Sequence, residues 1–430
     1  MAFHPRSVLI SPPSVPGTSE LRSTFCGRVV QDPGDAGARD CVRAAPVVYV
    51  AGDVRATCAA WGLGCSDPRV RVIGELAAGE VPPECARVRL GHVPRAVPGL
   101  GVMYPALFSG GDLFQDLTRV HTFQDLTEST KPDKSLRKGV YITRVTEVGR
   151  PVDGAVDALD FKLLRCSTNL AGPTVNRTPV DDFIIGAVSE VAAHNFVGAA
   201  ELDHVLAQVY ANAVDGDDEA SPDPVDRVSG GSGSASGRPV PAPTTRSRKA
   251  RISAHSDKTK DMPPNGIMAF VSFYHGGAVG DPAGLSSLKW RLKEGVEPGP
   301  DLPAVVDVPL LPGSVLLVSL VTNRLYTHEV RPSPLPAPKM PTRLGYVIRC
   351  SKTRARHDLV TSTTSVQGPD GQWTLLRAPT PEDLSELRAQ YFQENVSPGV
   401  VEYRSATHGP LIPYSMNGGD YLAPLLGQMK

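Results

Sequence analysis

The sequence predicts an α+β fold built around an antiparallel β-sandwich or barrel, with a few flanking helices. Three observations predict it. Glycine and proline each contribute 41 of the 430 residues, which favours short strands and many turns over long helices. Strand-like runs follow one another through the second half of the chain, with Gly/Pro turns between them. Apolar residues at helical spacing occur in a few separate segments.

The predicted strands are rich in β-branched and aromatic residues. One lies at 139–145, and the main group comprises 250–255, 267–274, 305–310, 314–321, 326–330 and 342–350. The predicted helices are 112–122, 179–196 and 378–394. Thr178 or Asp181 can cap the second helix, and the third begins at Thr380-Pro-Glu-Asp, which is a typical helix start.

Composition divides the chain into three regions and one insertion. Residues 1–95 are predicted to be an N-terminal extension or a small accessory region, because their apolar pieces are short. Residues 96–352 form the predicted central domain, and 353–430 a C-terminal extension that packs on it. Within the central domain, 215–247 pass from an acidic run through GGSGSASG to a basic run. Such a segment buries too little apolar surface to offset chain ordering, so a disordered insertion is predicted.

Charge and cysteine content restrict the class of protein. The net charge is −1, so no overall basic field indicates nucleic acid or an anionic membrane, although a local patch is compatible with it. The seven cysteines form no CxxC pair and are odd in number, which indicates reduced thiols in the cytoplasm or nucleus. Prolines interrupt the first 17 residues, so secretion is not expected. The most apolar stretch, 302–322, fits two strands better than a membrane helix.

The sharpest local pattern is His255-Ser-Asp257 at the end of a predicted strand. Residues i and i+2 of a strand project to one face, so His255 and Asp257 are expected to point the same way. An imidazole and a carboxylate are two corners of the 2-His-1-carboxylate triad that holds non-haem iron(II). Alone the pattern is weak evidence for a metal site, because a loop histidine followed by a turn aspartate has the same His-x-Asp sequence.

A third ligand is expected from a later strand. His328, in the predicted strand 326–330, supplies it. His275 is the rival, but it stands beside Gly276-Gly277 and is interpreted as a loop residue. An exposed strand histidine is the alternative for His328.

Two arginines, Arg343 and Arg349, stand on the otherwise apolar strand 342–350. Residues six apart in a strand share a face. Two arginines facing a core without partners would be costly, so an anion between them is the economical explanation. A dicarboxylate suits the planar guanidinium fork. The alternative is an edge strand with both arginines in solvent.

In this order the motifs resemble the AlkB-like branch of the iron(II)/2-oxoglutarate-dependent dioxygenases, and the chain is similar to uncharacterised members from large DNA viruses. That family carries H-x-D, a distal histidine and then R-x(5)-R. It also has an N-x-Y strand before H-x-D, which Gln208-Val-Tyr210 resembles with glutamine in place of asparagine. The resemblance implies a double-stranded β-helix (jelly-roll) core.

The resemblance also implies the cofactors and their residues. Iron(II) would be held by His255, Asp257 and His328, with O2 as the oxidant and no catalytic side chains beyond the metal site. The co-substrate 2-oxoglutarate would be held by Arg343, Arg349, Tyr210 and Gln208. We favour Arg343 for its distal carboxylate, with Arg349 assisting near the metal.

The implied reaction is hydroxylation or demethylation of an N-alkylated nucleobase in DNA or RNA. The family has its nucleotide-recognition lid where this chain has 127–144, which makes Lys138, Tyr141 and Arg144 candidate substrate contacts. A solvated polar loop explains the same residues. A prolyl- or lysyl-type protein hydroxylase and a non-catalytic barrel that acts as a binding module are the alternatives. The paired arginines favour the AlkB-like interpretation over the first of them.

Overall fold

The computed structural model describes residues 5–128, 131–149, 155–166, 168–214, 247–277 and 282–426. Within them the chain is a mixed α and β fold, consistent with the predicted α+β class. The predicted disordered insertion, 215–247, lies outside the described residues except for Ser247, which begins a strand. No helix in the described ranges combines the length and the apolar character needed to cross a bilayer.

The N-terminal region is a parallel sheet covered by helices on both faces. Its elements are β1 (Val8–Ile10), α1 (Ser19–Thr24), β2 (Arg28–Val30), α2 (Ala38–Ala44), β3 (Val48–Asp53), α3 (Val54–Trp61), β4 (Val70–Ala78) and β5 (Arg87–Val88). The strand order is β2-β1-β3-β4-β5. Because side chains alternate along a strand, Ile10 packs towards α2 and α3 while Leu9 packs towards α1. The sequence left open whether this region is ordered.

The middle of the chain supplies both ends of a large sheet, two strands of another sheet and two helices. These elements are β6 (Arg95–Val97), β7 (Gly101–Tyr104), α4 (Leu113–Val120), β8 (Gln124–Glu128), β9 (Lys131–Thr143), β10 (Thr146–Gly149), β11 (Val156–Leu163), β12 (Thr168–Asn169), β13 (Val175–Asn176) and α5 (Pro179–Ala193). Asp112 caps α4 through the backbone N–H of Gln115 at 2.9 Å. The predicted capping of α5 is confirmed as a reciprocal box between Thr178 and Asp181.

The strands that carry the site follow. They are β14 (His204–Tyr210), β15 (Ala213–Val214), β16 (Ser247–Arg248), β17 (Ile252–His255), β18 (Ile267–Tyr274), β19 (Ser287–Leu292), β20 (Val305–Pro309), β21 (Val315–Ser319), β22 (Tyr326–Arg331) and β23 (Arg343–Arg349), with α6 (Leu320–Leu325) between β21 and β22. The six predicted strands between 250 and 350 are confirmed. The sequence analysis missed β19, although Leu288 and Trp290 are buried in alternation there.

Two sheets face each other across the core. The larger runs β12-β8-β9-β14-β23-β18-β21-β7-β6, with β13 beside β9, and the smaller runs β17-β22-β19-β20. Met268 and Phe270 of the larger sheet pack against Trp290 and Tyr326 of the smaller one. The other face of the larger sheet packs on α4 and α5. Two facing sheets are consistent with the antiparallel sandwich or barrel predicted from strand spacing.

The C-terminal part adds β24 (Thr353–Asp358), β25 (Thr363–Gln367), β26 (Trp373–Leu375) and α7 (Pro381–Val396). The three strands join a third sheet of order β10-β11-β24-β25-β26. The predicted helix 378–394 is confirmed as α7, and Thr380 and Asp383 form its capping box. Single 3₁₀ turns lie at Leu90–His92, Pro282–Gly284, Ala337–Lys339 and Gly418–Tyr421.

Candidate metal centre

His255 and His328 are direct neighbours across two antiparallel strands. In the register of β17 with β22, His255 stands opposite His328, and their ring centroids are 4.4 Å apart. Directly opposed side chains of an antiparallel pair lie on one face. Asp257 Oδ1 is 3.6 Å from His255 Nε2. One ligand atom from each of the three residues falls within 4.8 Å of the others, so together they can hold one metal ion.

The means by which Asp257 reaches this cluster differs from the expectation. β17 ends at His255, and its register is irregular between Ile252 and His255. Strand alternation therefore does not place Asp257. Instead, Asn323 of α6 accepts the backbone N–H of Asp257 at 2.8 Å and donates to the backbone carbonyl of Asp257 at 2.9 Å. Asn323 is fully buried, so this two-point clamp fixes the carboxylate.

Replacing Asn323 with alanine is expected to weaken binding of a divalent metal by about 10- to 100-fold, because the residue that orients a ligand contributes on that scale. Anaerobic titration with iron(II), or with manganese(II) as a stable probe, measures it. Asn265→Ala is the matched control, since Asn265 is an exposed asparagine that donates to the Gly198 carbonyl at 2.9 Å. Equal metal affinity in the two variants would contradict the clamp.

The surroundings of the two imidazoles suit metal binding. His255 Nδ1 lies 2.9 Å from the Ser253 carbonyl oxygen, so the tautomer with the proton on Nδ1 leaves the Nε2 lone pair for a metal. His328 packs against Trp290 and Phe270, with ring centroids at 4.6 and 5.5 Å. Burial, reinforced by His255, lowers the pKa of His328 to about 3. His328 Nδ1 is buried without a hydrogen-bond partner among the described residues.

The carboxylate completes a donor set that fits iron(II). Burial alone would raise the pKa of the Asp257 carboxyl, but the Arg349 guanidinium and His255 hold this pKa well below its usual range. The Asp257 and His255 side chains are 14% and 28% exposed, so this face of the cluster is open towards solvent. Two imidazoles and one carboxylate with an open face are the donor set that non-haem iron(II) sites use.

The two predicted arginines face the same cavity as the metal ligands. This cavity has a volume of about 410 Å³. Arg349 Nη1 is 3.6 Å from Asp257 Oδ2, and Arg343 Nη1 donates to Ser272 Oγ at 3.3 Å. Arg343 Nε, Arg349 Nε and Arg349 Nη2 are buried without a hydrogen-bond partner among the described residues. Unpaired buried donors on cations are costly, so these atoms fit a bound anion.

Gln208 and Tyr210 lie on the strand next to the arginines. In the register of β14 with β23, Gln208 is opposite Gly345 and Tyr210 is opposite Arg343. The Arg343 guanidinium lies 4.0 Å from the Tyr210 ring centroid, and the Tyr210 hydroxyl donates to Gln208 Oε1 at 3.0 Å. A side chain at Gly345 would meet Arg343 Nη1 at 2.9 Å. Glycine there keeps the space beside the guanidinium open.

The three residues expected to contact substrate are not brought to the cavity. Tyr141 is buried, with its hydroxyl 2.7 Å from Cys166 Sγ. Lys138 and Arg144 are exposed and face Asp125 and Asp182 at 3.9 and 3.5 Å. None of the three lines the cavity, although Tyr141 contacts Cys166, which does, so their position does not support the expected role.

Arg137, on the same strand, lines the cavity instead. Arg137 was not among the substrate contacts expected from the sequence. His275 lies outside the cluster, because its ring packs edge-on against Phe114 with centroids 5.3 Å apart.

The C-terminal helix α7 is the part of the site that the sequence analysis missed. Asn395 Oδ1 accepts the backbone N–H of Ser256 at 3.0 Å and the Lys258 ammonium at 2.6 Å. The Glu394 carboxylate accepts the backbone N–H of Thr259 at 3.0 Å. The segment that follows His255 is therefore held by a helix more than a hundred residues later in the chain. Its amphipathic pattern predicted the helix but not its contact.

Comparisons with known proteins give weak likenesses in structure. No protein-family model matches the sequence, and no curated protein matches it. A solved structure of OsALKBH1 aligns at 14% identity and a TM-score of 0.30, covering 59% of this chain and 98% of that one. A prolyl-4-hydroxylase from Pseudomonas putida aligns at 14% identity and a TM-score of 0.28, covering 57% of this chain and 90% of that one. At such scores the likeness does not extend to activity or substrate.

Proposed function

We propose that this protein is an iron(II)- and 2-oxoglutarate-dependent dioxygenase of the AlkB-like type. One observation carries the proposal: the His255, Asp257 and His328 cluster shares a cavity with two buried arginines, some of whose N–H groups have no hydrogen-bond partner among the described residues. A metal triad alone would suit several enzymes or a storage site. The buried guanidinium groups beside the triad can also bind an anion, and this provides a binding site for an acidic co-substrate.

The order of the strands supports a double-stranded β-helix as the core. β14, β18, β21 and β23 belong to the larger sheet, and β17, β19, β20 and β22 to the smaller. The chain thus crosses repeatedly between two facing sheets, with β19 and β20 as the one consecutive pair in the same sheet. The triad then lies at neighbouring strands of the smaller sheet, and the arginines lie on a strand of the larger one.

Each residue in the cavity has a defined task in this proposal. Bound iron(II) with 2-oxoglutarate would supply the oxygen-activating chemistry that hydroxylates a C–H bond. His255 and His328 present neutral nitrogen donors, and Asp257 presents a charged oxygen. Arg343 would take the distal carboxylate of the co-substrate, and Arg349 would assist near the metal, with Tyr210 and Gln208 alongside. Apolar side chains that exclude water line the same cavity, namely Phe270, Leu288, Leu310 and Val330.

The proposed prime substrate is an N-alkylated nucleobase in DNA or RNA. Hydroxylation of an N-methyl group gives a carbon that leaves as formaldehyde. An open cavity mouth with exposed Ser253 and Ala254 suits a base presented from a single strand or flipped out of a duplex. A hydroxylated protein side chain, by contrast, would be stable and release no formaldehyde.

The test measures succinate formed from 2-oxoglutarate by the full-length protein with iron(II) and ascorbate. We expect slow turnover without a prime substrate, abolished by a chelator. Methylated oligonucleotides should then raise the rate and release formaldehyde. Absence of both turnover and 2-oxoglutarate-dependent iron binding would contradict the dioxygenase. Turnover without formaldehyde from any methylated oligonucleotide, but with stable hydroxylation of a peptide, would favour the protein hydroxylase.

A further inference from the structure

A large aromatic side chain stands exposed at the rim of the metal cavity. Phe392 of α7 is 62% exposed, yet it lines the cavity. The neighbouring Leu387 and Tyr391 are buried, so α7 already has an apolar face that fixes it to the protein. Leaving a phenylalanine in water forfeits the free energy that its burial would give. Phe392 therefore presents an uncovered ring at the cavity, where a ligand can pack on it.

Arg388 accompanies Phe392 on the same side of the helix. The two are four residues apart, which makes them neighbours on a helical surface. Both line the cavity, and Arg388 is exposed. The rim thus offers one aromatic face and one guanidinium side by side.

The residues that line the cavity carry more positive charge than iron(II) and 2-oxoglutarate together would neutralise. Besides Arg137, the described lining residues include the basic Lys258, Arg343, Arg349 and Arg388 against a single acid, Asp257. Iron(II) and a doubly charged 2-oxoglutarate would cancel each other. A positive excess therefore remains for the prime substrate, and an anionic one complements it.

The helix holds these two side chains at a fixed position relative to the metal ligands. Asn395 lies one turn beyond Phe392 and binds the backbone of Ser256, between His255 and Asp257. The Lys293 ammonium donates to the carbonyl oxygen of Glu394 at 2.7 Å and of Ser397 at 3.0 Å, which fastens the C-terminal end of α7. A group that stacks on Phe392 is thereby positioned beside the reactive centre.

We propose that Phe392 and Arg388 form the prime-substrate platform, on which a base of a single-stranded nucleic acid stacks while Arg388 pairs with its phosphate. This rests on the proposed function and deepens it. The combination of a sequence-tolerant aromatic face with a neighbouring cation is the means by which proteins hold unpaired nucleotides. A purely acidic protein segment would use the cation but not the exposed ring.

Fluorescence anisotropy with a labelled single-stranded oligonucleotide of about 16 nucleotides tests the platform in the full-length protein, at fixed salt. Phe392→Ala should weaken binding about tenfold, since one base–aromatic stack has that scale. Phe392→Trp should retain it. Phe183→Ala is the matched control, because Phe183 is a helical phenylalanine that is 60% exposed but does not line the cavity. Thermal unfolding of each variant verifies the fold.

Arg388→Ala should lower the slope of log affinity against log salt by about one, because one phosphate contact is lost. Arg55→Ala, an exposed helical arginine in the N-terminal region, should leave the slope unchanged. Wild-type affinity in Phe392→Ala would overturn the platform. Succinate formation by a wild type that binds no oligonucleotide, or that binds an acidic peptide through the same two residues instead, would overturn the nucleic-acid substrate while leaving the dioxygenase intact.

Discussion

Replacing Asp257 with alanine is expected to weaken iron(II) binding by more than about 100-fold and to abolish succinate formation. Asp257 is the carboxylate of the three-residue cluster, and its pKa is held well below the usual range by Arg349 and His255. Residues that only orient ligands already contribute about 10- to 100-fold in affinity, so a ligand itself should contribute more. Anaerobic metal titration and the succinate assay measure the two effects separately.

Loss of Asp257 also removes the nearest carboxylate of a buried cation. Arg349 Nη1 is 3.6 Å from Asp257 Oδ2, and Arg349 is fully buried. A fall in thermal stability is therefore expected beside the loss of metal. Asp257→Asn keeps the side-chain volume, so it distinguishes the effect of the lost charge from the effect of lost packing. Asp307→Ala is the matched control, because Asp307 is a half-exposed strand aspartate whose partner, Arg331, lies 3.4 Å away. An Asp257 variant with wild-type iron affinity would rule out this metal centre.

Local periodicity is what made part of this site predictable. Arg343 and Arg349 are six residues apart on β23, and both are buried and line one cavity, as strand alternation predicts. The strands between 250 and 350, except β19, were found because β-branched runs alternate there with glycine and proline. The pairing of His255 with His328 was not predicted, since register depends on which strands become neighbours.

Contacts between segments that are far apart in the chain could not be predicted from the sequence. Asn323 and Asn395 have ordinary polar positions in their helices, and nothing local marks them as partners of the Asp257 segment. The N-terminal sheet was missed for another reason. Two of its strands, Val8–Ile10 and Arg28–Val30, are three residues long and β5 is two, which is too short for any period to emerge. Both failures arise where tertiary packing rather than local pattern determines structure.

Replacing Arg343 with methionine is expected to raise the KM for 2-oxoglutarate by about 100-fold while iron(II) affinity stays near that of the wild type. Removing one member of a buried charge pair costs about 2–5 kcal/mol, which corresponds to roughly 30-fold or more. Arg343 interacts with Tyr210 and Ser272 rather than with the metal ligands. The KM of Arg343→Lys for 2-oxoglutarate should lie between the values of the wild type and of Arg343→Met. The lysine keeps the charge, but it cannot form the pair of hydrogen bonds that a guanidinium forms with a carboxylate.

Arg349→Met provides the contrast that assigns the two arginines. The Arg349 guanidinium lies 3.6 Å from the Asp257 carboxylate, so its loss should disturb the metal ligand as well as the co-substrate. The affinities for iron(II) and for 2-oxoglutarate should therefore both fall. Arg291→Met, at an exposed arginine of β19, should change neither. If Arg349→Met raised the KM for 2-oxoglutarate with unchanged iron affinity and Arg343→Met did not, the distal carboxylate would bind at Arg349.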